Sequence, residues 1–396
     1  MTGDSGAQWW RRSGTERERL ITDAALAPDD GLYVVGWLDE NERAGDGFGG
    51  FLQRLLPDGT VEWEYCWDET RRPKAVTVTS NGPVVAGASL SGDTDESEEK
   101  LPAWLASVTT DGVCRWEQGY PNGDGDTFET VVTTPDGVVA GGRTGRYTKR
   151  APDSWERVYG TSDWLLAADI DDGTERWRES YHGNDCVSLL ADGMDSPRYV
   201  GGSRVVWIAS DGTEKHSQYY YAETGSSDTL DSIAPGQRDG DSVIAGKAWE
   251  GSAANQARLL VIDSEGERLL DRATGLPDRS NFGKDAIALD DGYLFSGTTL
   301  FDGCALPWLV RFDKSGNPED ASCIVRQSGP TADPELTSVS TTDAGIQEHP
   351  DGHPIGGRHA AVDTLVPTQD GLFVVYNEHD QSQSPEHRRS WIGYLS

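Results

Sequence analysis

At 396 residues the chain has length for two or three ordinary domains, and its 14 Trp, 13 Tyr and 8 Phe supply enough core to exclude an acidic disordered polymer. The formal charge of −33, from 67 acidic against 34 basic residues, excludes non-specific DNA or RNA binding as the main task. Such a surface stays soluble at very high salt, where self-repulsion is screened, so the composition predicts a protein of an extreme halophile.

The first residues, Asp4-Ser-Gly6-Ala-Gln-Trp-Trp10, read as a tight turn followed by a strand. Charges and tryptophans stand where a signal peptide needs an apolar segment. The pair Arg11-Arg12 is followed by Ser-Gly-Thr-Glu-Arg-Glu-Arg rather than the apolar stretch of a twin-arginine signal. With no run of about eighteen apolar residues either, no membrane insertion is expected, and the location expected is cytoplasmic or virion-associated.

From there one short element recurs: Gly31-Leu-Tyr-Val-Val-Gly36, Gly82-Pro-Val-Val-Ala-Gly87, Gly137-Val-Val-Ala-Gly141 and Arg198-Tyr-Val-Gly201. Asp241-Ser-Val-Ile-Ala-Gly246, Gly292-Tyr-Leu-Phe-Ser-Gly297 and Gly371-Leu-Phe-Val-Val-Tyr376 continue it. Each is a run of β-formers too short for a helix and suited to a buried strand, and most follow an Asp-Gly or Asn-Gly turn. A second strand follows each of the first six, starting at Phe51, Trp104, Trp164, Val206, Leu259 and Trp308. Each of these runs into a turn at Gly59, Gly112, Gly173, Gly212, Gly266 or Gly316, with Trp63, Trp116 and Trp177 four places beyond the first three glycines.

Four antiparallel strands repeated at this spacing predict an all-β fold, a seven-bladed β-propeller of four-stranded blades forming one domain over residues 1–396. The end, Trp391-Ile-Gly-Tyr-Leu-Ser396, matches a third strand, and the start supplies the missing turn and fourth strand. The ring is therefore expected to close by pairing the N-terminal strand with the C-terminal blade. Residues 1–12 complete that last blade, and 327–360 form a long insertion before it.

Ala167, Asp169, Gly173 and Trp177 reproduce the pattern Ala-x-Asp-x-x-x-Gly-x-x-x-Trp, and in this the chain resembles the PQQ-binding-like (quinoprotein alcohol dehydrogenase-like) propeller superfamily. The resemblance implies a fold. It does not carry quinone binding, because the adjacent cysteine pair typical of the alcohol dehydrogenases is absent and no residue maps as a cofactor ligand.

In that fold the tight turns share one face, and the longer stretches 89–102, 143–162, 298–306, 327–360 and 377–390 share the other, the expected binding face. Within it Arg143, Arg146, Lys149, Arg150 and Arg157 outnumber Asp153 and Glu156, with Tyr147, Trp155 and Tyr159 interleaved. Arginine and aromatic side chains are the usual anchors of interfaces, so these eight basic and aromatic residues are the expected partner-binding set. The bland alternative is a clamp on the chain's own acidic loops.

Five of the seven histidines, His349, His353, His359, His379 and His387, lie near the end, but Pro350, Gly352 and Pro354 break any helix that would align the first two, and no metal is assigned. Asn122-Gly-Asp124-Gly-Asp126 spaces oxygen ligands as calcium loops do, yet the sixth position is Thr127 and the twelfth Thr133, which favours a structural turn. The recurring tryptophans read as blade packing. Cys304 and Cys323 flank one hairpin and could pair in an oxidising environment; the five cysteines form no zinc signature.

No catalytic motif of specific spacing is present, so no catalytic residue and no cofactor is assigned. The function expected is non-enzymatic recognition or assembly through the loop-rich face, toward a protein or a surface glycan, as in a capsid decoration, turret, tail or host-attachment component. The alternative is a quinoprotein-like oxidoreductase or a glycan hydrolase or lyase with its site at the central channel.

Overall fold

The structure, a computed structural model, describes residues 7–13, 19–38, 48–68, 70–89, 102–123, 125–144, 147–151, 154–157, 162–181, 186–191, 196–221, 228–249, 255–276, 279–301, 304–325, 334–339, 341–342, 345–346, 359–380 and 387–395. These residues form strands and turns and no helix. Two compact units emerge: residues 1–21 with 218–396, and residues 22–217.

The repeat seen in sequence is a four-strand antiparallel meander. In 19–68 it runs Arg19–Leu26, Leu32–Leu38, Phe48–Leu55, Val61–Asp68, and it recurs over 186–219 and 229–274. The two middle strands of a meander are buried on both faces, as in Gly82–Ser89 and Ala103–Val108, while the last strand turns polar residues outward, as in Cys114–Tyr120. Strands covered on both sides read as unbroken apolar runs, which is why the second and third strands were the legible ones.

The turn glycines adopt the left-handed backbone that a third-to-fourth-strand turn requires; Gly112 has φ 85° and Gly173 φ 75°. They have a second reason to lack a side chain. A Cβ on Gly112 would meet the Trp63 ring at 3.0 Å, one on Gly173 the Trp116 ring at 2.8 Å, and one on Gly212 the Trp177 ring at 2.6 Å. Each repeat tryptophan thus caps the turn of the following meander, and Trp63 and Trp116 donate their indole N–H to Thr110 O (2.9 Å) and Ile170 O (3.1 Å) in those turns.

Among the described residues five sheets of four or five strands stand separately, where seven separate sheets were expected. The difference lies in residues 71–181, whose two meanders are joined into one eight-stranded sheet by a single backbone bridge, Thr127↔Ala88. The N-terminal strand sits as the sequence predicts: Ala7–Arg12 pairs antiparallel with His387–Leu395, with Trp10↔Gly393 and Arg12↔Trp391, and completes the sheet of 359–395.

Three expected loops are corrected. Gly292–Phe301 and Cys304–Asp313 pair out to Phe301↔Cys304, and Leu372–Asp380 pairs with His387–Leu395 out to Asp380↔His387, so 298–301, 304–306, 377–380 and 387–390 are paired strand. Within 327–360 the segment Glu335–Val339 adds a fifth strand beside Pro318–Val325, covering an edge that would otherwise be open. The Cys304–Cys323 pairing is also overturned. Cys323 is a free, buried thiol opposite Trp308, four residues along its strand from Cys304 and so roughly 13 Å away at the rise of a β-strand. Burial pushes that thiol up to about 12, and it stays protonated.

Candidate functional site

The innermost strands of six meanders carry an extra residue at the same place. The register slips between Pro73/Ala75, Phe128/Thr130, Cys186/Ser188, Leu230/Ser232, Gly283/Asp285 and Val362/Thr364. A bulge of this kind re-aims one side chain away from the ladder. The residues so presented are Lys74, Glu129, Val187, Asp231, Lys284 and Asp363, five of the six charged.

In the unit of 218–396, Asp231, Lys284 and Asp363 are joined by Asp285, Lys247 and Asn377. All are partly buried. Burial pushes the carboxyls of Asp231, Asp285 and Asp363 above the usual carboxylate range, against the pull of Lys284 on Asp231 and Asp363 and of Lys247 on Asp231. Asn377 Nδ2 donates to Asp363 Oδ2 (2.7 Å) and to Ile21 O (2.9 Å), Ser390 Oγ donates to Asn377 Oδ1, and Ile21 N donates to Ser390 Oγ (2.8 Å).

Asp285 differs from its neighbours. Its two oxygens accept the backbone N–H groups of Ala286 and Leu365, each at 2.9 Å, latching one innermost strand to the next. Asp23 does the same for Ala24 (2.8 Å) and Val76 (2.9 Å), and Thr130 Oγ1 accepts Leu189 N at 3.2 Å. The residue after the bulge is thus a structural latch, and the bulged residues Asp231, Lys284 and Asp363 are the ones left with chemistry to offer.

Burial raises Asp285 to about 6, assisted by the charge of Asp363 and opposed by its hydrogen bonds. Because the unfolded chain ionises this group near 3.8, raising the pH from about 4 to about 6 deprotonates the unfolded state first and costs the fold about 2 to 3 kcal/mol. Asp285→Asn removes that step. The stability difference between variant and native protein, measured by denaturant unfolding at constant high salt, is expected to move toward the variant by that amount across this window. A difference independent of pH contradicts the raised carboxyl.

In the unit of 22–217 the bulges give Lys74 and Glu129, paired at 3.7 Å, with Arg143 at 3.4 Å from the same carboxylate. Arg143, a predicted contact residue, is therefore engaged inside its own sheet. The others divide. Tyr147, Lys149 and Arg150 lie on the strand Tyr147–Ala151, and Trp155 and Arg157 on Ser154–Arg157, the two pairing as a separate hairpin through Tyr147↔Arg157 and Lys149↔Trp155. Arg146 and Tyr159 lie outside the described residues. The flanking strands Gly137–Thr144 and Ser162–Ala168 pair with each other up to Thr144↔Ser162, so the hairpin is an excursion from the meander.

Of the C-terminal histidines, His359 lies in register opposite His379 and His387 opposite Asp380, while His349 and His353 lie outside the described residues. Among the described residues no group of three or more His, Cys, Asp or Glu is arranged to hold a metal. Ahead of the strand Thr127–Thr134, Asp126 Oδ2 accepts the N–H groups of Asn122 (2.6 Å) and Gly123 (2.8 Å).

No protein-family model matches the chain, and no curated protein sequence does. Solved structures do. The quinohemoprotein alcohol dehydrogenase of Comamonas testosteroni is similar with a TM-score of 0.50 at 11% identity, over 99% of this chain and 76% of that one. Raptor of Chaetomium thermophilum gives 0.52 at 9% identity, over 99% of this chain and 29% of that one. The Pan2 WD40 domain of Neurospora crassa gives 0.47 at 8% identity, over 97% of each. The chain has a β-propeller fold. At these identities the likeness is one of fold alone.

Proposed function

We propose that this chain is a seven-bladed propeller of PQQ-like repeat, working at high salt, that recognises an acidic protein or surface glycan through the hairpin of 147–157. Seven blades follow if the eight-stranded sheet is counted as two, since each half repeats the full meander and they share one bridge. The observation that carries the functional reading is the hairpin itself. Among the described residues it pairs with no strand of its meander, and it concentrates Lys149, Arg150, Arg157, Tyr147 and Trp155 in a chain of charge −33. At about 1 M salt the Debye length falls to about 3 Å, which screens the global repulsion and leaves contact-range arginine and aromatic interactions to decide affinity. A setting in a virion or surface structure suits such a module.

Lys149→Glu, Arg150→Glu and Arg157→Glu together are expected to lower affinity for immobilised poly-glutamate or a uronic-acid polysaccharide by about 100-fold, at about 1 kcal/mol for each anchor, without changing the melting temperature. Equal retention of variant and native protein rejects the reading.

One observation favours a second reading, an enzyme such as a glycan hydrolase or lyase. The carboxyls of Asp231 and Asp363 are held toward their protonated form around Lys284, as a general acid requires. Hydrolysis of a uronic-acid polysaccharide, abolished by Asp363→Asn, would support it.

A further inference from the structure

The turn at Asn122–Asp126 holds a carboxylate that the fold leaves half used. Asp126 is 1% exposed, and although Oδ2 takes two backbone N–H groups, Oδ1 is buried and receives no hydrogen bond from the described residues. A buried, half-satisfied carboxylate is costly unless a cation or a proton neutralises it.

A second blade shows how the fold meets that cost elsewhere. Asp228 stands just before the strand Thr229–Pro235 as Asp126 stands before Thr127–Thr134. There Oδ1 accepts Trp249 N (3.1 Å) and Oδ2 meets the buried guanidinium of Arg258 (3.3 Å), which lies in register opposite Gly246. The position opposite the corresponding glycine, Gly142, is held by Trp164. An indole carries no charge, and this one donates to Thr127 O at 3.3 Å. Arg178, stacked over the Trp164 ring, gives its donors to Pro121 O and Glu175. The internal cation of one blade is thus replaced by an apolar ring in the other, while the aspartate remains.

Gly123 brings its backbone close to Oδ1. A Cβ there would lie 3.3 Å from Asp126 Oδ1 and closer still to Thr144 Oγ1, so two oxygens converge on the volume that a side chain would fill. We propose that this turn binds a hard cation of the calcium class, with Asp126 Oδ1 as charged ligand and Thr144 Oγ1 as neutral ligand, water completing the shell. Oxygen-only ligation suits such an ion, and a single described carboxylate places the affinity on the order of 10⁻⁴ to 10⁻³ M. Binding the folded state alone, the ion stabilises by mass action.

The test compares native protein with Asp126→Asn, which keeps an oxygen for the two backbone N–H groups, and with Thr144→Val, at constant high sodium chloride. The native melting temperature is expected to rise with millimolar calcium and fall with chelator, and bound terbium to be sensitised by Trp164. Both responses should weaken at least tenfold in each variant, and persist in Asp172→Asn, which controls for ions on exposed turns. Equal calcium responses in native protein and Asp126→Asn overturn the proposal. So does a native protein indifferent to calcium, which would leave Oδ1 to water or a proton.

Discussion

Removing residues 1–12 is expected to lower the melting temperature by about 10 °C or more and to make the protein prone to association. The strand Ala7–Arg12 is the outer member of its sheet, bonded along His387–Leu395 and continued by Ser13 N to Ser390 O at 2.9 Å. Trp9 stacks on Tyr394 (6.4 Å between centroids) and meets Phe373 edge-on (6.0 Å), and Trp10 covers Gly393 and packs against the core of that sheet. Two partly buried tryptophans and their aromatic pairs contribute about 5 kcal/mol, before the exposed backbone edge is counted. A synthetic peptide of residues 1–13 added to the truncated chain should restore part of the loss. A truncated chain that melts with the full one would show the pairing to be dispensable.

Arg258→Ala is expected to cost about 3 to 5 kcal/mol, the usual consequence of leaving a buried charge without its partner. The guanidinium is 2% exposed and forks onto Asp271 at 2.8 and 2.7 Å, onto Tyr220 O at 2.6 Å and onto Asp228, whose side chain is fully buried. Tyr220 in turn donates to Gly266 O at 2.7 Å, so the arginine ties the turn before one strand to the turn between two others. The double variant Asp228→Asn, Arg258→Met removes both charges and should be markedly less destabilised than Arg258→Ala in urea unfolding. Salt should not rescue the single variant, because a buried pair is little screened. A single variant as stable as the native chain would place these charges in contact with water.

The meander was legible because strands buried on both faces must be continuously apolar, and because Trp63, Trp116 and Trp177 are coupled to the glycines they cap. The N-terminal strand was legible because Trp10 stands four places after Gly6, as Trp63 does after Gly59. Joining of the 71–120 and 127–181 meanders was not, since one bridge between Thr127 and Ala88 depends on how closely two sheets approach. Asp231 and Asp363 escaped notice because a carboxylate is unremarkable where 67 of 396 residues are acidic, and Lys284 because a bulge leaves no mark in composition. The basic hairpin stood out by contrast with that same background, while Arg143 beside it is engaged by Glu129.

Hydrogen exchange along the whole chain, with and without saturating poly-glutamate or uronic-acid polysaccharide at high salt, tests recognition through the hairpin most directly. Slowed exchange confined to residues 147–157 and their flanks is the result expected. Unchanged exchange there, with protection instead on the strands bearing Asp231, Lys284 and Asp363, would contradict the account and move the site to the innermost strands.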